Sequence, residues 1–154
     1  MIHRYFNVTI NFIENKNVTK FESCQVYFNV DQEGEWQLLN ENAVLGYEIL
    51  LLKLVVLDQR TKYLFVKNTN IIVNNNQIII NTLSRPKFFY KTNLKKLYYK
   101  ELAEVNKQVK QLETIQKIGL DISSFLNLSE LKNQQYILKM KNFFSLKEEQ
   151  YENK

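Results

Sequence analysis

The side chains able to do covalent or acid–base chemistry are few and poorly placed for it. His3 is the only histidine and Cys24 the only cysteine in 154 residues. A Ser-His-Asp triad, a multi-histidine metal site or a thiolate cage would each have to be built round one residue. Three glycines leave no material for a phosphate-cradling loop. The acidic pairs Glu33/Glu35 and Glu148/Glu149 fall in a turn and in a tail, where carboxylates are solvated charges rather than an acid/base couple. The residues therefore point away from an enzyme and towards a subunit or binding module, with no metal and no cofactor.

Charge is the second place to look for function, and it is unevenly spread. Residues 1–86 carry 8 Lys+Arg and 8 Asp+Glu, whereas 87–154 carry 13 and 8, so the whole formal charge of +5 sits in the second part. Such a basic segment is either the wet face of packed helices or a contact for an acidic partner.

The elements that must position these residues are legible from periodicity. Phe6, Val8, Ile10 and Phe12 alternate with Asn7, Thr9 and Asn11 from Tyr5 to Ile13, the pattern of a half-buried strand. The pattern resumes with Cys24, Val26, Phe28 and Val30 on the inner face, which makes Cys24 a packing residue. Asp31-Gln32-Glu33-Gly34 reads as a hairpin-like turn before a short strand from Glu35 to Leu39. Ile49 to Leu57 is apolar on both faces except for Lys53, as in a strand covered on two sides. Lys62 to Lys67, Ile71 to Val73 and Ile78 to Ile80 follow, separated by turns. About eight short strands in this spacing predict an antiparallel sandwich or barrel.

The only proline, Pro86, removes a ladder donor and predicts the end of the strand half. The expected domains are thus a β-sandwich over 1–86 and a helical hairpin over 87–154. Thr92 or Asn93 is placed to cap a first helix carrying Leu94, Leu97, Tyr98, Leu102, Val105, Val109 and Leu112, with Gly119 after its end. A second helix is expected to open near Asn127 or Ser129, and Glu148 to Lys154 to form a polar, frayed tail. Met1 to Tyr5 runs straight into the strand pattern, so no signal or transit peptide is expected. The longest apolar run, Ala43 to Leu57, is too short and too charged to span a bilayer.

A strand block followed directly by a helical hairpin resembles the ε subunit of F-type ATP synthases, δ in mitochondria. The stretch Glu33-Gly34-Glu35-Trp36-Gln37-Leu38-Leu39-Asn40-Glu41-Asn42-Ala43-Val44-Leu45 is similar to that family's EGELGILPGHAPL loop. Ile71 to Arg85 is similar to its last two strands, with Thr82 and Arg85 at the places of the Asp-Thr-Ala-x-Arg exit. The loop's later glycines, histidine and prolines are absent here. Near Asn93 to Tyr99 the acid and arginine of the family's ATP-binding signature are also missing, which argues against nucleotide regulation.

The resemblance implies a non-catalytic central-stalk subunit of an F-type or F-type-like rotary ATPase. The strand domain would join a γ-type stalk subunit to the rotor ring, with Glu33, Gly34, Glu35, Trp36 and Leu38 at the contact. The hairpin would restrain ATP hydrolysis, with Lys95, Lys96, Lys100, Lys107 and Lys110 meeting the catalytic α/β subunits. Such a subunit would lie peripherally on the cytoplasmic face of a bacterial membrane, or on the matrix side of the mitochondrial inner membrane. The alternative is an OB-type nucleic-acid-binding module with a basic helical tail, for which strand aromatics and helix lysines have suitable chemistry.

Overall fold

The computed structural model describes residues 4–29, 35–119 and 121–150. The chain forms an α+β fold of eight strands and two helices among those residues. In order these are β1 (Phe6–Phe12), β2 (Asn17–Asn29), β3 (Gln37–Leu38), β4 (Ala43–Val56), β5 (Lys62–Asn74), β6 (Gln77–Thr82), β7 (Phe88–Lys91), α1 (Tyr99–Gln116), α2 (Ile122–Phe143) and β8 (Leu146–Glu148). Two compact units result: one runs to Lys91 and takes in the chain again from Lys147, and the other is Thr92–Leu146.

Strand pairing in the first unit closes a ring. β1 pairs with β2, β2 with β4, β4 with β5 and β5 with β6, all antiparallel, and β6 returns to β1 in parallel register from Asn7↔Gln77 to Phe12↔Thr82. An up-and-down path through five strands leaves the first and last pointing the same way, so the closing pair has to be parallel. This consecutive order also differs from the Greek-key ring of an OB barrel. The alternating residues of β1 and β2 fill the interior as their period demands: Phe6, Val8, Ile10, Phe12, Cys24 and Val26 are all buried, together with Leu50, Leu52, Leu54 and Ile80. With 25 cal/mol or so gained per Å² of apolar surface covered, this contiguous core is the main source of the unit's stability.

Long strands serve the ring by changing partner partway. β5 pairs along one edge with β6 over Asn70–Asn74 and with β7 at Tyr63 and Leu64. Between the two segments Asn68 adopts φ 44°, a left-handed conformation that asparagine tolerates better than most residues. The hydroxyl of Thr82 donates to the Lys67 carbonyl at 2.9 Å, and the Lys67 N–H donates to Ser84 Oγ at 2.6 Å. These bonds hold the chain on the β5 edge as it leaves β6.

The expected end of the strands at Pro86 is therefore corrected. Pro86 lies in a turn between two strands that share one edge of β5, and the unit boundary falls at Lys91/Thr92. The runs Lys62 to Lys67 and Ile71 to Val73 are a single strand, β5, and the Ile49 to Leu57 strand begins earlier, at Ala43. The tail is corrected too, since Leu146–Glu148 is a strand and the Glu149 N–H donates to the Phe88 carbonyl at 2.8 Å. The carboxylate of Glu149 accepts from Lys62 Nζ at 2.9 and 3.1 Å and lies 3.6 Å from Arg60, fastening the returning chain. The turn expected at Asp31 to Gly34 lies outside the described residues.

The second unit is an antiparallel helical hairpin. Val109 and Leu128 are buried, and across the helices Gln135 donates to Asn106 at 2.7 Å while Lys132 pairs with Glu113 at 3.4 Å. The first helix opens later than Thr92 or Asn93, which corrects the capping expectation. Thr92 Oγ1 instead accepts from the Leu94 N–H at 3.3 Å in a local turn, and Lys96 at φ 59° interrupts any helix there. The Tyr98 N–H goes to the Asn142 side chain at 3.2 Å, and the Tyr98 hydroxyl donates to the Leu146 carbonyl at 2.6 Å. Gly119 lies past the end of α1 as expected, at φ 112°, where side chains other than glycine are strained. The second helix starts earlier than Asn127, because Asp121 accepts from the Ser124 N–H at 2.7 Å and acts as its N-cap.

Candidate functional site

Register across the first unit lines up one row of outward-facing side chains. Tyr27 on β2 stands opposite Leu38 on β3 and Lys53 on β4; Lys53 stands opposite Tyr63 on β5, and Tyr63 opposite Phe89 on β7. Directly opposed residues in antiparallel strands share a face. Their immediate neighbours Phe28, Leu39, Leu52, Leu64 and Phe88 all point into the core. The row is therefore fixed on the outward side of the strands by the same alternation that fills the interior; Tyr27, Leu38 and Lys53 are half-buried there, and Tyr63 and Phe89 are buried.

Trp36, just ahead of β3, leans over this row. Its ring lies 6.0 Å from that of Tyr63, and the Lys53 ammonium sits 5.3 Å from the Trp36 centroid and 5.0 Å from that of Tyr27. The ring quadrupoles offer partial compensation for a cation withdrawn from water. Burial, followed by the positive charge of Lys91, holds the Lys53 ammonium below the usual lysine range. Burial likewise pushes the Tyr63 phenol above its usual range. Gln25, one row along on β2, is only 5% exposed and accepts from the Tyr27 hydroxyl at 3.4 Å, while its Nε2 donor has no hydrogen-bond partner among the described residues.

Of the residues expected at a partner contact, Trp36 and Leu38 come together in this patch and Glu35 is exposed beside them. Glu33 and Gly34 lie outside the described residues. The sequence reading missed Gln25, Tyr27, Tyr63 and Lys91, whose convergence depends on register between strands. Lys53 had one visible signal, as the single charge within an otherwise apolar strand. The hairpin lysines Lys95, Lys96, Lys100, Lys107 and Lys110 are all exposed. Lys95 and Lys96 precede α1, and the other three are spread along it. Around the end of α1 and the start of α2, Ile118, Ile122, Phe125 and Leu126 are exposed, the first two by 87% and 80%.

Other chemistry finds little support in the geometry. Cys24 is fully buried and its thiol is pushed up to about 12 by that burial, so it is a core residue at neutral pH. Among the described residues no three His, Cys, Asp or Glu side chains gather as a metal site, and no helix is long and apolar enough to cross a membrane. A cleft of about 610 Å³ lies along the returning chain, lined by Arg60, Tyr90, Lys147, Glu148, Glu149 and Gln150. There the Arg60 guanidinium stacks 4.2 Å from the Tyr90 centroid and also faces Glu149, an arrangement that fastens the strand.

Fold and site together define a class: a small closed barrel with an aromatic and basic outer face, joined to a helical hairpin. Within that class the chain belongs to the UU051 family. Residues 7–87 match the UU051 N-terminal domain, and residues 99–149 match the domain described as uncharacterised protein UU051 C-terminal domain. A relative from Ureaplasma parvum, uncharacterized protein UU051, is 42% identical over 147 residues, covering 91% of this chain and 85% of its own length. The interval between the two matched regions contains β7 and the turn ahead of α1.

Proposed function

We propose that the protein is a non-catalytic subunit that docks through the outer face of its barrel, and that its host is an F-type or F-type-like rotary ATPase. The observation that carries the docking role is the row Leu38–Tyr27–Lys53–Tyr63 beneath Trp36. It gathers the half-buried Tyr27 and Trp36, the buried Tyr63 and a poorly solvated cation on one face, and aromatic side chains are the ones interface centres favour. The choice of host rests on the sequence resemblance in Glu33 to Leu45 and Ile71 to Arg85, and on the order of barrel and hairpin. In this reading the barrel binds a γ-type stalk subunit and the rotor ring, at the membrane surface and without spanning it. The exposed lysines of the hairpin face the catalytic α/β subunits.

Purification of the tagged protein from its native source in mild detergent tests the reading. Co-recovery of α-, β- and γ-type ATPase subunits in stoichiometric amounts supports it, and their absence refutes it. Restraint of hydrolysis is tested in the recovered complex by replacing Lys100, Lys107 and Lys110 with glutamine. A faster rate supports the restraint and an unchanged rate removes it. Truncation at Pro86 is a poorer test, because it also removes β7 and β8 from the strands.

A further inference from the structure

Among the described residues, the positive charge of the barrel's outer patch is paired with no acid. Lys53 is half-buried and its close neighbours are the Tyr27 and Trp36 rings, which carry no net charge. Lys91 is exposed and follows Phe89 by two residues on β7, so it shares the outward side with Phe89, Tyr63 and Lys53, and its charge acts on Lys53. Among the described residues no ion pair engages either lysine. The nine-tenths-buried Gln25 adds an amide donor lacking an acceptor. Two like charges on a partly desolvated face repel each other. One added carboxylate relieves the repulsion.

We propose that this patch is the seat of an acidic segment of a partner protein, one carboxylate lying between Lys53 and Lys91 and an apolar neighbour packing on Trp36. The inference rests on the subunit reading above and names the chemistry of the partner at that same surface. Charge complementarity selects a carboxylate, and the aromatic surroundings select an amphipathic protein segment over a free anion. A nucleic acid fits less well. Tyr63 is 6% exposed, and the Lys53 ammonium occupies one side of the Tyr27 and Trp36 rings, so the patch lacks the succession of open rings on which bases stack.

Trp36 is the only tryptophan of the chain and reports directly on the site. The full-length protein is titrated with an acetylated, amidated peptide of alternating glutamate and leucine, with its glutamine counterpart, and with oligo-dT, following Trp36 fluorescence. The expected result is a saturable change with the glutamate peptide alone, weakening as salt is raised. Lys91→Gln and Lys53→Gln/Lys91→Gln weaken it, the double variant at least about tenfold. Lys91→Gln lies at an exposed position and keeps the test valid should the double variant fail to fold, while Lys91→Arg retains binding. An equal response to the glutamine peptide, an unchanged response in the variants, no saturable response, or saturation by oligo-dT instead overturns the proposal. Assembly with the ATPase subunits is scored separately. A wild-type chain that assembles while ignoring the glutamate peptide sinks this inference alone, whereas one that fails to assemble sinks the subunit reading.

Discussion

Replacing Ile10 by alanine probes the seam on which closure of the barrel depends. Ile10 is fully buried, and in β1 it stands between Thr19 of β2 and Ile80 of β6. The substitution removes three carbons from the core, worth about 2.4 kcal/mol at ~0.8 kcal/mol per buried methylene. A residual cavity of about 50 Å³ adds roughly 1 kcal/mol at 24 cal/mol per Å³, giving a loss near 3.5 kcal/mol. Ile10→Val is expected to cost about 1 kcal/mol. The matched control is Ile79→Ala, since Ile79 is half-buried, pairs with Thr9 across the same seam and points outward; its cost is about 1 kcal/mol. Urea unfolding followed by Trp36 fluorescence measures all three. Were the β1–β6 pairing absent, both strands would be edges and Ile10 would lose part of its cover. Similar costs for Ile10→Ala and Ile79→Ala, together with rapid amide exchange on one side of β6, would refute the closed ring.

Cys24 is expected to resist thiol reagents in the native protein and to react only on unfolding. Its thiol is raised from 9.0 to about 12 by burial, so its contribution to stability is whole below pH 9 and is lost as pH rises towards 12; Cys24→Ala flattens that slope in alkaline unfolding curves. Asp121→Ala lowers the helicity of α2 in circular dichroism. The Ser124 N–H holds the Asp121 carboxyl below its ordinary value, so the cap is intact above that value, near pH 3.8, and is lost as pH falls through the lowered one. Glu149→Gln costs about 2 kcal/mol by breaking a charge-assisted bond to Lys62. It also speeds exchange of the Glu149 amide, which donates to Phe88; unchanged exchange would mean the ion pairs do not fasten β8.

The interior of the barrel was legible because a strand's period of two is a local property. Phe6, Val8, Ile10 and Phe12, and again Cys24, Val26 and Phe28, are buried where alternation puts them. Lys53 was visible as an anomaly, and its meaning was not, because Tyr27 and Tyr63 reach it only through strand pairing. The start of α1 was misplaced for a related reason. Leu94, Leu97 and Tyr98 carry helical spacing, but Lys96 turns left-handed and the Tyr98 N–H and hydroxyl are taken by Asn142 and Leu146, far along the chain. Asp121 and Ser124 held a local cap signal that spacing alone could have found.

By itself the sequence determined which residues lie inside, where the period changes from strand to helix, and that the chain consists of a strand part and a hairpin. These follow from side-chain alternation and from the backbone preferences of a few neighbours. Only the tertiary structure decided that the strands close through a parallel β1–β6 pair, that β7 and β8 continue the strands beyond Pro86, and that Trp36, Tyr27, Lys53 and Tyr63 share one face. Those outcomes depend on register and on hydrogen bonds between segments distant in sequence, such as Lys67 with Thr82 and Lys62 with Glu149, and no local preference encodes them.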